Sequence, residues 1–226
     1  MSIETSRHHG RNAPSVDSFL HKNYFLNSKW VGSFVEYGAF NGVFESSCKF
    51  FEESLNWSGH NIESVPWIYE ELAKNRACSR SYNLALSDTC GVQSFIYAHH
   101  RELGRMCINS SLQHDPVHLD RLRETGYLLK EISIQCMTWD GFCHHAGITS
   151  IDLLFLSFSG TEEAVFSGFS PKSIHPKIIC IRHERSALQK ITELMSNLNY
   201  KFDQTLFVDS CFIRNVLYCE MAVKNA

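Results

Sequence analysis

The sequence predicts an α/β protein with an open, mostly parallel sheet, helices on both faces and a C-terminal β-hairpin. Strand-like apolar runs alternate with segments of helical apolar period, which is typical of strand–helix–strand units. The run 151–158 (IDLLFLSF) is apolar on both faces, as expected of a central parallel strand. Residues 200–218 have the pattern of a terminal hairpin. Ligands of such sheets bind at the carboxyl ends of the strands.

The first half of the chain supplies the first strand, a glycine turn and three helices. Helical spacing of Val16, Phe19 and Tyr24 predicts a leading helix that starts at Pro14 and ends before Trp30. A short buried strand and a glycine-rich turn then occupy 32–42, followed by a helix over 43–55. The remaining predicted strands of this half are 59–65, 81–87 and 92–98, and a helix over 66–76 begins at a proline that suits its first turn.

The second half continues the alternation after an interruption. Residues 99–130 have mixed polarity and break the rhythm. The elements predicted beyond them are strands at 131–137, 151–158 and 176–183, and helices at 138–146, from 160 and at 187–198. The helix at 187–198 rests on apolar residues at helical spacing, and the strands rest on alternating or continuous apolar runs.

Composition limits the class of protein. The chain has 226 residues, a formal charge of −3 and 44% hydrophobic residues. This length favours one domain, and the apolar content excludes wholesale disorder. The slightly acidic balance excludes a polycation built to coat nucleic acid or an anionic membrane, so we expect neither as a partner. The sequence gives no oligomeric state.

Cysteine usage points to a reduced setting. The nine cysteines form no C-x-x-C pair, and the N-terminal residues contain no apolar signal core. No apolar run approaches the roughly 20 residues of a membrane span. We therefore expect a cytoplasmic protein with free thiols. Adjacent histidine pairs such as His144-His145 do not have zinc-ligand spacing, and we expect no metal site.

Two acidic residues flank the glycine turn in the predicted fold. Glu36 ends the first strand, Gly38-Ala39-Phe40-Asn41-Gly42 follows it, and Glu63 ends the second strand. Small residues let the backbone approach a ligand, and a carboxylate after the next strand can accept both ribose hydroxyls. The turn lacks the G-x-G-x-x-G of a pyrophosphate binder, and Glu36 puts negative charge where a phosphate would lie. This disfavours an NAD-dependent oxidoreductase and favours a cationic sulfonium ligand, although the glycines could serve only the turn.

From about Phe34 to Asn215 the chain resembles the FkbM-type methyltransferases, a branch of the S-adenosylmethionine-dependent Rossmann-like enzymes. The family's F-V-E-I-G-A-N-D-G is similar to residues 34–42, and its F-F-E-x-x-L-x-W-x-G is present at 50–59. Its I-E-P, A-[VIL]-S-D and T-L-D correspond to Ile62-Glu63-Ser64, Ala85-Leu86-Ser87-Asp88 and Thr138-Trp139-Asp140. The strand I-D-x-L-x-[IL]-D-[VI]-E-G-x-E matches 151–162, and F-x-R-N matches 212–215.

The resemblance implies a class I methyltransferase fold, with S-adenosyl-L-methionine as cofactor. An N-terminal segment with the leading helix would occupy 1–30 and the methyltransferase domain 31–226. Residues 99–130 would be a lid or acceptor-recognition insert, or else a solvated loop. Six residues implied to bind the methionine part or the ribose are Glu36, Gly38, Ala39, Asn41, Gly42 and Glu63. Ser87 and Asp88 would contact adenine, although an ordinary turn explains them equally well.

The chain departs from the family at the reactive edge. Where the family has D-[VI]-E-G, this sequence has Ser157-Phe158-Ser159-Gly160, so two carboxylates are replaced by hydroxyls. Serine is a poor base and a weak metal ligand. Ser157 is the candidate for contact with the acceptor, whereas Ser159 also fits a helix cap. His183 could accept a proton from an acceptor hydroxyl, or it could be a satisfied structural histidine.

Two functions from different classes follow. The first is a methyltransferase that O-methylates a sugar or small secondary metabolite, with a small hydroxylated molecule as its partner. The second is a catalytically weakened methyltransferase-fold protein that acts as a binding or scaffold partner, and the serine substitutions motivate it. Proximity supplies most of the rate of methyl transfer, so the loss of a base does not exclude the first.

Overall fold

The computed structural model describes residues 8–9, 13–26, 31–108, 110–112, 116–157, 160–170 and 172–215, with only the backbone at 105–108. The chain divides into two compact units. The first unit draws on Met1–Asn83, Gly147–Ser157 and Ile174–Ala226, and the second on Leu84–Ala146 and Phe158–Ser173. The predicted domain over 31–226 takes in parts of both units and stays a prediction.

The described residues form eleven strands and seven α-helices. The strands are β1 (Ser33–Tyr37), β2 (Ser58–Ile62), β3 (Arg80–Tyr82), β4 (Ala85–Leu86), β5 (Gly91–His100), β6 (Gly104–Ile108), β7 (Tyr127–Met137), β8 (Leu153–Ser157), β9 (Ile178–Arg182), β10 (Tyr200–Leu206) and β11 (Asp209–Arg214). The helices are α1 (Val16–Leu20), α2 (Lys49–Leu55), α3 (Pro66–Asn75), α4 (Pro116–Glu124), α5 (Trp139–Ala146), α6 (Glu162–Ser167) and α7 (Leu188–Asn197).

The first unit is built on a seven-stranded sheet in the order β10-β11-β9-β8-β1-β2-β3. The five strands from β9 to β3 are parallel to one another, and β11 and β10 add an antiparallel hairpin at one edge. This confirms the predicted Rossmann-like, mostly parallel sheet with a C-terminal hairpin. The chain leaves β1 towards β2 and β3 and later returns to β8 on the other side of β1. The carboxyl end of β1 is therefore a topological switch point, where ligands bind in open α/β sheets.

Large apolar side chains fill one face of this sheet. Phe34, Phe155 and Cys180 of the strands join a buried cluster with Phe51 of α2 and the following Trp57. The seven cysteines that the structure describes are free: Cys48, Cys78, Cys90, Cys136, Cys143, Cys180 and Cys211. Five of them are buried and act as small apolar side chains in the packing.

The second unit contains a separate four-stranded sheet in the order β4-β7-β5-β6. Strands β5 and β7 pair antiparallel from Gly91↔Cys136 to His100↔Tyr127. Trp139 of α5 stacks on Phe169, with ring centroids 5.0 Å apart. The strands predicted at 92–98 and 131–137 are present as β5 and β7, but they pair with each other outside the parallel sheet, because period-two alternation predicts a strand without specifying its neighbour.

Three further boundaries differ from those predicted. The strand at 81–87 is divided between β3 in the first sheet and β4 in the second. The leading helix is α-helical only over Val16–Leu20 and continues as a π-helical turn to Phe25, and its predicted end near Trp30 lies outside the described residues. The helix predicted from 43 begins at Lys49. Residues 43–48 are irregular because their backbone binds side chains of the site below.

No helix in the described part of the chain is long and apolar enough to cross a membrane.

Candidate cofactor and acceptor site

The glycine turn leaves the carboxyl end of β1 in a left-handed conformation. Gly38, Phe40 and Gly42 have φ angles of 74°, 50° and 75°. The amides of Gly38 and Ala39 both donate to the Ile62 carbonyl, at 3.0 and 3.1 Å, so the turn is fixed to the end of β2. A Cβ atom at position 38 would lie 3.0 Å from the Ser157 carbonyl oxygen. The first residue of the turn therefore has to be glycine for both space and conformation.

Glu63 holds the apex of the turn. Its carboxylate accepts the amide of Phe40 at 3.1 Å and the amide of Val65 at 2.9 Å. The side chain is buried, and among the described residues no cation pairs with it. Burial raises the pKa of Glu63 to about 7, although the two amide hydrogen bonds oppose the shift. The turn and Glu63 thus meet, as the order of the strands predicted, while ribose binding by Glu63 stays a prediction.

Glu36 lies beneath the turn and is fully engaged. One carboxylate oxygen accepts the Ser47 amide at 2.7 Å, and the other accepts the Ser46 hydroxyl at 2.9 Å. Arg76 forms an ion pair with the same carboxylate, with Nη1 3.2 Å from Oε2. Contact of Glu36 with the cofactor stays a prediction, and its observed partners are protein groups.

Arg76 is the residue of this site that sequence reasoning missed. Its Nη1 also donates to the Gly42 carbonyl at 3.3 Å, and its Nε donates to Glu52 at 2.5 Å. Burial alone would lower the pKa of the Arg76 guanidinium, but Glu36 and Glu52 raise it above its ordinary value. A Cβ atom at Gly42 would lie 2.5 Å from Arg76 Cγ, so the second glycine makes room for the arginine. One guanidinium therefore joins the end of β1 to the end of the turn.

Several buried polar atoms of Arg76, the turn segment and the neighbouring strands have no hydrogen-bond partner among the described residues. These are Arg76 Nη2, both amide atoms of Asn61, and the hydroxyls of Ser47 and Ser81. Glu36, Asn61 and Ser81 are register partners across β1, β2 and β3 and lie on one face of the sheet. Buried polar atoms of this kind are the usual partners of ordered water.

Asn41 stabilises the turn after its apex. Its side-chain oxygen accepts the amides of Val43 and Phe44 at 3.1 and 2.9 Å. This side-chain turn and the positive φ of Glu45 explain why the helix begins later than the apolar pattern predicted.

Ser157 and His183 end β8 and β9 on the same edge of the first sheet. Ser157 is half-buried, and its Cβ lies 3.1 Å from where a Cβ of Gly38 would stand. His183 is buried, with Nδ1 2.7 Å from the Glu184 carbonyl and Nε2 2.7 Å from the Ser210 hydroxyl. Both imidazole nitrogens thus have protein partners, which favours the structural reading of this histidine. Ser159 lies outside the described residues.

Ser87 and Asp88 lie in the second unit. The Ser87 amide donates to the Met137 carbonyl at 2.9 Å, and the Ser87 hydroxyl donates to Asp88 at 3.1 Å. Gln93 donates to the same hydroxyl at 3.2 Å. These local contacts are those of an ordinary turn, and contact with adenine stays a prediction.

A cavity of about 460 Å³ opens at the opposite edge of the first sheet, where the parallel strands begin. Its wall includes His60 and the ion pair of Lys177 with Asp152, with Nζ 2.6 Å from Oδ1. None of the predicted site residues lines it. Within the described residues, no group of three or more histidine, cysteine or acidic side chains could hold a metal ion.

Comparisons with known proteins give one family and two similar folds. Residues 36–202 match the family model described as methyltransferase FkbM domain. Precorrin-6y C5,15-methyltransferase from Geobacter metallireducens GS-15 is 11% identical, with a TM-score of 0.45 over 92% of this chain and 90% of that chain. A putative caffeoyl-CoA O-methyltransferase from Staphylococcus aureus is 9% identical, with a TM-score of 0.47 over 94% of this chain and 87% of that chain. No curated protein matches this sequence.

Proposed function

Because the chain belongs to the FkbM methyltransferase domain family, we propose that it uses S-adenosyl-L-methionine to methylate a hydroxyl oxygen of a small acceptor, such as a sugar or a secondary metabolite. The observation that carries the proposal is the junction of the glycine turn with Glu63. There a buried carboxylate, which has no cationic partner in the part of the chain that the structure describes, meets a turn whose backbone can approach a ligand. Hydroxyl donors from a ribose would satisfy that carboxylate in place of water.

The residues at the junction have distinct roles in the proposed reaction. Glu63 accepts the ribose hydroxyls, and Gly38 lets the methionine part approach the end of β1. Ser157, next to Gly38, lies where the acceptor would reach the methyl group. When bound, S-adenosylmethionine would supply an electrophilic methyl carbon; transfer of this methyl group to the acceptor oxygen would break the carbon–sulfur bond with its electron pair going to sulfur, and the acceptor proton would go to water. The protein contributes mainly by holding the two reactants in line.

Calorimetric titration with S-adenosylmethionine and with S-adenosylhomocysteine tests the proposal. We expect both to bind, and we expect mass spectrometry of the purified protein to detect co-retained cofactor. Exposed Glu70 on α3 supplies a matched control, since Glu70→Ala removes a carboxylate away from the turn. Absence of binding by both ligands would overturn the methyltransferase proposal.

The second candidate is a methyltransferase-fold binding protein with weakened catalysis, and Ser157 in place of the family's carboxylate favours it. Cofactor binding without methyl transfer to a panel of hydroxylated acceptors would support this candidate. Ser157→Asp distinguishes the two further. A rise in turnover with magnesium would mean that a metal-assisted step has been lost, and abolished activity would mean that the serine serves a different acceptor site.

The proposed location is the cytoplasm, on the basis of the free thiols of the described cysteines. Cell fractionation with an antibody against the chain tests it.

A further inference from the structure

Four residues form a row across the carboxyl ends of the central strands. Ser157 is the register partner of Arg182, and Arg182 is the register partner of Asp209 at the start of β11. Gly38 adjoins Ser157 on its other side. The row therefore runs from the glycine turn across β8 and β9 to the hairpin, within the first unit.

Two exposed aromatic side chains border this row. Phe44, in the segment after the glycine turn, is 38% exposed, and its ring packs edge-on against Phe40 with centroids 6.2 Å apart. Phe207, at the tip of the β10–β11 hairpin, is 48% exposed. Both rings present apolar surface to solvent, which the ring of a bound ligand would cover.

Contacts on both sides of the row place the two phenylalanines near it: Phe44 packs on Phe40 of the glycine turn, whose Gly38 adjoins Ser157, and the hairpin tip is bonded to the end of β9. The amide of His183, the residue after Arg182, donates to the Val208 carbonyl at 3.0 Å, so the tip that carries Phe207 lies at the end of β9. Glu45 follows Phe44. Burial lowers the pKa of the Arg182 guanidinium, whereas Asp209 and, to a smaller extent, Glu45 raise it above its ordinary value, so Glu45 lies within electrostatic reach of Arg182. The segments that carry Phe44 and Phe207 thus both lie near the row.

Three non-glycine residues in these two segments have left-handed backbone. Phe40, Glu45 and Phe207 have φ angles of 50°, 52° and 59°. The other such residues within the described ranges are asparagines, Asn56 and Asn199, which adopt this conformation readily. Bulky residues in this region are strained, and such strain is concentrated at ligand clamps and active sites. The residues with strained backbone therefore lie in the same two segments as the two exposed phenylalanines.

The described polar groups of the row offer no free general base. Arg182 binds Asp209 through Nε and Nη2, at 2.9 and 3.3 Å. His183 has partners at both nitrogens, and Ser157 presents only a hydroxyl. Proximity alone can carry methyl transfer, but without a base an acceptor whose hydroxyl ionises readily by itself is favoured here. A phenolic hydroxyl, with a pKa of about 10 in tyrosine, does so far better than an aliphatic alcohol.

We propose that this edge binds a hydroxylated aromatic acceptor, whose ring packs between Phe44 and Phe207 while its hydroxyl lies at Ser157. The inference rests on the proposed methyl transfer and narrows its acceptor from hydroxylated small molecules to phenols. The phenolate oxygen forms the new bond to the methyl carbon, the carbon–sulfur bond breaks with its electron pair going to sulfur, and the phenolic proton goes to water. In this proposal the contacts with Phe44 and Phe207 orient the acceptor, a role to which a general base would otherwise contribute through its hydrogen bond.

Binding of two matched probes to the full chain tests the proposal without requiring turnover. The probes are 4-methylphenol and 4-methylcyclohexanol, and their dissociation constants are measured by ligand-observed NMR with and without S-adenosylhomocysteine. We expect the phenol to bind roughly tenfold more tightly, and Phe44→Ala and Phe207→Ala each to weaken it roughly fivefold. The matched control is Val31→Ala, which removes an apolar side chain, 69% exposed, before the amino end of β1.

Three outcomes would overturn the proposal: equal binding of the two probes, an equal loss with the control variant, or a change of oligomeric state by Phe207→Ala in sedimentation without a change in phenol binding. The last would mean that a second copy of the chain covers the edge. The two proposals fail separately. If phenol binding depends on both phenylalanines but neither S-adenosylmethionine nor S-adenosylhomocysteine binds, the methyltransferase proposal fails and the phenol site stands. If the protein methylates methyl glucoside and neither variant changes that activity, the phenol-site proposal fails.

Discussion

Two glutamates end adjacent strands of the central sheet, and their surroundings are opposite. Glu36, after β1, is 2% exposed and is bound by the Arg76 guanidinium and the donors of Ser46 and Ser47. Glu63, after β2, is 8% exposed and is bound, within the described residues, by backbone amides and by no cation, with its pKa raised to about 7. Both carboxylates are buried, but their partners differ. A carboxylate paired with an arginine is structural, whereas one that is held by amides can still accept hydrogen bonds from a ligand. We infer that Glu36 holds the turn and that Glu63 receives the cofactor.

The variant with the largest expected effect on stability removes Arg76, the cation that pairs with Glu36. Arg76→Met leaves Glu36 and Glu52 buried without a cation, which costs roughly 3–5 kcal/mol of unfolding free energy. Urea unfolding measures this loss. The double variant Glu36→Gln, Arg76→Met should recover part of the loss, because one orphan charge is gone.

The matched control for Arg76 is the surface pair of Arg123 with Asp120, at 2.6 Å, in which both side chains are exposed. Arg123→Met should change the unfolding free energy by less than about 1 kcal/mol. Similar losses for the two arginines would contradict the structural role assigned to Arg76.

The second test uses pH, because burial raises the pKa of Glu63 to about 7. The pKa of Glu63 in the folded chain, about 7, exceeds the ordinary glutamate value of 4.5, so the folded state holds the proton more tightly. Its contribution to stability is complete below pH of about 4 and is lost as pH rises through 7, by up to about 3 kcal/mol. Urea unfolding between pH 5 and 8 should therefore show a steeper decline for the wild type than for Glu63→Gln. Parallel curves would mean that Glu63 is ionised throughout.

The third test measures the affinity for S-adenosylmethionine. Glu63→Ala should weaken binding by roughly 1–3 kcal/mol, or about five- to 150-fold, because ribose hydroxyls lose their buried acceptor. Calorimetry measures the change, with Glu70→Ala as the control on an exposed surface. An unchanged dissociation constant would place the cofactor elsewhere.

The sequence predicted the meeting of the turn with Glu63, because both follow parallel strands and strand ends share an edge. It could not predict Arg76, which is 40 residues from Glu36 and lies just beyond a helix whose spacing bears no relation to either glutamate. Residues 43–48 misled the helix prediction for the same reason. Their apolar pattern is helical, but Ser46 and Ser47 donate to Glu36, and tertiary contacts override local propensity.

The strands of the second sheet show a different limit. Strand β5 and the antiparallel β7 have the same alternation as strands of the central sheet, and alternation identifies a half-buried strand without naming its partner. The parallel strands were predictable because burial on both faces leaves a continuous apolar run, as in β8.

The position of β1 has a consequence for biosynthesis. One of its two neighbours, β8, is encoded far downstream: the Ser33 amide binds the Asp152 carboxylate across a separation of 119 residues. At translation rates of about 5–20 residues per second, β1 waits roughly 6–24 s for that neighbour to be made. During this time an apolar strand keeps an unpaired edge, so newly made chains of this protein are exposed to aggregation until the ribosome has passed β8.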